Sequence, residues 1–146
     1  MPTVQRLRVY LDGEPIGCVE QSSGTLTFTY DDHYRAEPNA TPVSLSMPLA
    51  SARHSNKPVR AFLDGLLPDS QPARERWATQ YGVSANNPFG LLANVGRDAA
   101  GAVQLLPPGD ESDDAAARHG DIEWLSDDDV ATLTRELAEH GADWDP

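Results

Sequence analysis

The chain has 146 residues, enough for one domain with a sizeable apolar core. It carries 11 Lys and Arg against 23 Asp and Glu, a net charge of −12, with 39% hydrophobic residues, 12 prolines and one cysteine. A single cysteine excludes an internal disulfide and a Cys-rich zinc site, and no apolar run reaches the ~20 residues that span a bilayer.

In chain order, "MPTVQRLRVYLDG" turns polar and alternating at once, unlike a secretory signal, so a cytoplasmic location is expected. Leu7, Val9 and Leu11 share one face of a first strand, and Asp12-Gly13 suits the positive φ angles of a tight hairpin. The returning strand carries Ile16 and Cys18, with Cys18 expected on the apolar face as a small buried hydrophobe. "TLTFTY" then points Leu26, Phe28 and Tyr30 inward and its threonines outward, completing an antiparallel meander. "PVSLSMPL" alternates through Val43, Leu45, Met47 and Leu49, which predicts a further strand, at an edge because of Pro48.

The period then changes. Val59, Phe62, Leu63 and Leu66 follow helical spacing, with Asn56 as the expected N-cap and Pro68 as the stop. A second helix opens at Ser70 or Gln71, packs through Trp77 and Tyr81, and ends at Gly82. Asn87-Pro88 starts a short helix to about Gly96, and "GAVQLLP" reads as a returning strand. Together these predict an α+β fold: an antiparallel sheet of about five strands, helices mainly on one face, and an acidic C-terminal linker and helix. The helical stretch 57–95 should cover a face lined by Val9, Leu26, Phe28 and Leu45.

Charge divides the chain unevenly. Residues 1–107 hold nine basic against ten acidic residues, whereas 108–146 hold two against thirteen. Residues 108–120 read as an acidic linker and 121–146 as a short strand and helix. In that helix, Ser126 and Asp129 have capping-box spacing, and Val130, Leu133 and Leu137 form a stripe. An acidic end repels phosphate backbones, so direct nucleic-acid binding is not expected. Arg74 and Arg76 on the second helix suggest a DNA-recognition helix only weakly, because Glu75 lies between them and the joint "LLPDSQ" adds an acid.

No phosphate-cradling glycine loop, nucleophile elbow, H-E-x-x-H or C-x-x-C occurs. His33, His54, His119 and His140 are scattered without metal-ligand spacing, and Asp31-Asp32 and Asp113-Asp114 read as surface charge before general acids or bases. No catalytic, cofactor-binding or metal-binding residue is assigned, and no membrane partner is expected.

The order of "VYLDGEPIGCV", "LTFTYDDHY", "SLSMPL", "FLDGLLPDS" and "FGLLANVGRDAAGAV" resembles the N-terminal subdomain of HipA-type toxin serine/threonine kinases over about residues 5–107. "IEWLSDDDVATLTRELA" resembles the helix leading into their kinase part. The resemblance implies a subdomain seated on a kinase core that binds ATP and Mg and phosphorylates a translation protein. In that family the phosphate loop and catalytic Asp lie downstream of this region, so no catalytic position carries over and no cofactor is expected in this chain. It implies as partners a kinase core, in cis or in trans, a helix-turn-helix antitoxin, and self-association. The contact role is expected near Phe62, Leu66, Leu67 and Phe89, which could equally build the core. Two readings follow: a regulatory, protein-contacting module of such a kinase, as a truncated chain, or a free-standing antitoxin-like protein that restrains a separate kinase. An independent small enzyme ranks last.

Overall fold

The computed structural model describes residues 5–110 and 124–140. Three strands, β1 (Gln5–Leu11), β2 (Glu14–Ser22) and β3 (Thr25–Tyr30), form the meander. Its two-residue turns, Asp12-Gly13 and Ser23-Gly24, have φ of 51° and 72°, and 49° and 78°. Positive φ at both corners matches the right-handed twist of the flanking strands. A short α1 (Asp32–Arg35) follows, then β4 (Arg53–His54), α2 (Asn56–Gly65), α3 (Gln71–Tyr81), α4 (Pro88–Val95) with a 3-10 turn at Gly96–Asp98, and β5 (Val103–Leu106). A last helix, α5, spans Asp127–His140. The sheet order is β4-β3-β2-β1-β5, antiparallel throughout.

The α+β fold with five strands is therefore the one the alternation and helical periods predict. Leu7, Val9, Val19, Leu26, Phe28 and Leu105 line the inner face and cluster with Val59 and Leu63 of α2 and Leu91, Leu92 and Val95 of α4. The helix punctuation also follows: Ser70 accepts the Ala73 N–H, Gly82 closes α3 at φ 65°, and Asn87 precedes Pro88 at the start of α4. Asn56 differs. Ser55 is the N-cap of α2, while the Asn56 Oδ1 accepts the Leu26 N–H at 3.0 Å and so satisfies the edge of β3.

Two expectations are corrected. Between Val9 and Tyr10 the β1–β2 register slips, with Val9 opposite Gly17 and Tyr10 opposite Pro15. The extra residue, Ile16, is a bulge, and a one-residue slip exchanges the faces of a strand. Ile16 and Val19 enter the core, whereas Cys18 lies opposite Arg8, half-buried on the other face. The slip also brings Gly17 against its neighbour: a Cβ there would sit 2.3 Å from the Thr29 carbonyl oxygen, so the position requires glycine.

The second correction concerns 43–49, which is not a strand but part of a long connection of turns and bends from α1 to β4. Its fourth-strand place in the sheet is taken by Arg53–His54. Leu45, expected under the helices, is 95% exposed. Of the acidic linker, residues 111–120 lie outside the described residues, as do 121–123 of the strand expected before α5.

Candidate functional site

The joint between α2 and α3 is held by one side chain. The Arg74 guanidinium donates to the Pro68 carbonyl at 2.6 Å, to the Asp64 carboxylate at 3.1 Å and to the Asp64 carbonyl at 3.1 Å. Two of those acceptors are backbone carbonyls at the end of α2 and its proline stop, where the helical hydrogen-bond pattern runs out. Arg74 is thus committed to the joint, while Arg76 is exposed on α3. The apolar residues around the joint separate into two kinds. Leu67 and Phe89 are 5% and 2% exposed and belong to the core, so they offer a partner almost no surface. Phe62 and Leu66 pack against that core but are only half-buried, and they remain the pair with area to present. An open groove of about 560 Å³ is lined by Phe89 together with Leu7, Gly90, Asn87, Asn94 and Pro107.

On the opposite face of the sheet the polar side chains pair with one another. Arg8 makes a two-pronged contact with the Asp31 carboxylate at 2.9 and 3.3 Å, and Arg6 meets Glu20 at 2.7 Å. Burial, reinforced by Glu20, pushes the Cys18 thiol above its ordinary range, and Arg8 only partly offsets this. A thiol kept protonated is a poor nucleophile.

His54 is buried edge-on against Tyr30, with Nε2 3.2 Å from the Pro48 carbonyl. A carbonyl only accepts, so the proton sits on Nε2. His33 is exposed beside Glu37, and Asp32 pairs with Arg35. Among the described residues no three His, Cys, Asp or Glu side chains converge to hold a metal. His119 and Asp113-Asp114 lie outside the described residues, and for His140 only the helical backbone is described.

The connection before β4 carries the feature that alternation misread. The Tyr30 hydroxyl accepts the Val43 N–H at 2.9 Å and donates to the Met47 carbonyl at 2.7 Å. Between these two anchors the Met47 N–H closes a turn onto the Ser44 carbonyl at 2.9 Å, with Leu45 at its first corner. Met47 is wholly buried, and Val43 and Leu49 half-buried, so of the four alternating apolar residues only Leu45 is exposed. The unexpected signal lies in Ser44 and Ser46, whose hydroxyls bond each other at 2.9 Å as turn-forming serines can. Apolar surface is also open at α5: Trp124 before it is 90% exposed, and Val130, Leu133 and Leu137 of its stripe are exposed as well.

Residues 7–106 match the model of the HipA N-terminal domain family. The chain is 38% identical over 110 residues to a Sinorhizobium fredii protein named "Putative kinase Y4mE", covering 75% of this chain and 26% of that protein. It is 34% identical over 122 residues to "Putative kinase Y4dM" of the same organism, covering 79% and 29%. The chain therefore spans little more than a quarter of the curated relatives it matches. A solved chain from the complex of Shewanella oneidensis MR-1 toxin–antitoxin proteins HipA and HipB with operator DNA superposes with a TM-score of 0.66. That likeness, at 22% identity, covers 95% of this chain and 30% of the other, and it establishes the shared fold.

Proposed function

Because this chain belongs to the HipA N-terminal domain family, we propose that it is the regulatory, protein-contacting module of a HipA-type toxin kinase. One observation carries the reading: a sealed α+β core displays isolated apolar side chains, Leu45 and Trp124 above all, which its own fold leaves uncovered. Each such side chain gains burial only from a polypeptide that covers it. The longer relatives named as kinases supply the natural neighbour, a kinase core in cis or in trans. The solved relative, assembled with HipB and operator DNA, supports a DNA-binding antitoxin as a further partner. In this reading ATP, Mg and phosphoryl transfer to a translation protein belong to the kinase core, and this chain adjusts access to it. Half-buried Phe62 and Leu66 are part of the contact surface.

Calorimetry tests the division of labour. The 146-residue chain alone is expected to give no heat with Mg-ATP, and micromolar binding would overturn the reading. Co-expression with the kinase polypeptide separates the two forms of it. Kinase toxicity abolished by this chain in trans identifies a free-standing inhibitor. Toxicity that requires this chain identifies an integral module.

A further inference from the structure

Leu45 sits where a fold gains nothing from a leucine. Corners of exposed turns favour Gly, Pro, Asn, Asp and Ser, and an aliphatic side chain there forfeits its burial. Yet the connection that carries it is tied down on every side. Besides the Tyr30 clamp, the Tyr34 hydroxyl accepts the Thr41 N–H at 3.1 Å and donates to the Thr41 carbonyl at 2.8 Å. Arg35 donates to the Leu49 carbonyl at 3.0 Å, and His54 holds Pro48. Four side chains from β3, α1 and β4 thus fix the backbone on both sides of one exposed leucine. The flanking serine hydroxyls bond each other, and Ser44 Oγ also accepts the Ser46 N–H, so part of the polar rim is satisfied within the tip.

We propose that Leu45 is the anchor by which this module seats in an apolar pocket of the kinase core. The inference rests on the reading given above and adds the residue and the chemistry of the contact. Charge narrows the occupant, and the length of the relatives names it. From Pro38 to Ala52 there is no charged residue, although 23% of the chain is charged. A neutral tip has nothing to pair with a phosphate backbone or a basic groove, but it enters a desolvated apolar pocket without stranding a charge. The kinase core is the polypeptide held nearest: the relatives continue for about three quarters of their length outside the matched region. Linkage, where it exists, keeps such a neighbour at high effective concentration. Because the loop is already rigid, docking carries little ordering cost, the condition under which one buried side chain dominates an interface.

The test uses the 146-residue chain and a HipA-type kinase polypeptide from the same genome. A Leu45→Cys variant, in a Cys18→Ser background, is reacted with a maleimide dye. Fast labelling is expected for the chain alone, and labelling at least tenfold slower once the kinase polypeptide is bound or joined in the same chain. Leu45→Ala should weaken association roughly ten- to a hundredfold, the loss of one buried aliphatic side chain, while leaving the thermal midpoint of the chain unchanged. A complex in which the thiol stays freely reactive, or in which Leu45→Ala binds as tightly as the parent, overturns the anchor and leaves the module reading standing. Failure to form any complex overturns both.

Discussion

Tyr30 does more than fill volume. Its ring packs edge-on against Phe28 at 4.6 Å between centroids, while its hydroxyl bridges Val43 and Met47. A Tyr30→Phe substitution keeps the ring and removes only the bridge, leaving a backbone donor and acceptor to find new partners. Stranding such groups costs about 1–3 kcal/mol, which a urea titration would resolve. Burial also holds the Tyr30 phenol above its ordinary value of 10.0. Since the folded chain resists losing that proton, stability is fully present below pH 10 and declines as pH rises through and beyond it. The urea midpoint of the parent should therefore fall between pH 9.5 and about 11 more steeply than that of Tyr30→Phe; equal slopes would show the phenol uncoupled from folding. At this scale the inward set Leu26, Phe28 and Tyr30 is legible from alternation alone. The hydroxyl's role is not, because it depends on residues 13 and 17 positions away that no local pattern connects.

Elements were legible wherever a period and its punctuation agreed. Ser70, Pro72 and Gly82 bracket α3, and Ser126 with Asp129 brackets the start of α5. There the Ser126 N–H donates to Asp129 Oδ2 at 3.0 Å, and the Asp129 N–H donates back to Ser126 Oγ at 3.2 Å. The stretch 43–49 failed because alternation records only which residues are apolar, and a turn with Met47 inward and Leu45 outward writes the same letters as a strand. The β2 bulge failed for a related reason: one inserted residue inverts the pattern after it. Two predictions belong here. Arg74→Met retains the aliphatic stem but removes three charge-assisted bonds from a mostly buried guanidinium, so the α2–α3 joint should loosen at a cost of about 1.5–3 kcal/mol, with faster amide exchange at Leu66 and Leu67. The hydrogen bonds from the Ser126 side chain and backbone hold the Asp129 carboxyl below its ordinary value of 3.8. Its capping contribution is thus present above that value and lost as pH falls through and beneath it. Carbon chemical shifts of α5 should lose helical character on acidification below pH 3.8, and Asp129→Asn should flatten that part of the profile.

For the whole molecule, stability and interaction reside in different places. The core that closes residues 5–110 joins β1, β2, β3 and β5 to α2, α3 and α4, and every residue in it precedes Pro107. The helix α5 contributes no buried side chain among those described, and Val130, Leu133 and Leu137 face solvent. A 14-residue helix without tertiary packing is marginal in water even when well capped. Removing residues 111–146 should therefore leave the urea midpoint of the sheet within about 0.5 kcal/mol of the parent, the range of substitutions that touch no packed feature. The same cut removes most of the excess negative charge, which relieves self-repulsion if it changes anything. In hydrogen exchange, amides of β1, β2 and α4 should open only with global unfolding, while those of α5 exchange at nearly the rate of an isolated helix. Addition of the kinase polypeptide should then protect α5 without altering the sheet, since an apolar stripe gains its packing from whatever covers it. A large loss of stability on trimming would instead mean that α5 is a buttress of this domain, and its exposed stripe would no longer argue for a partner.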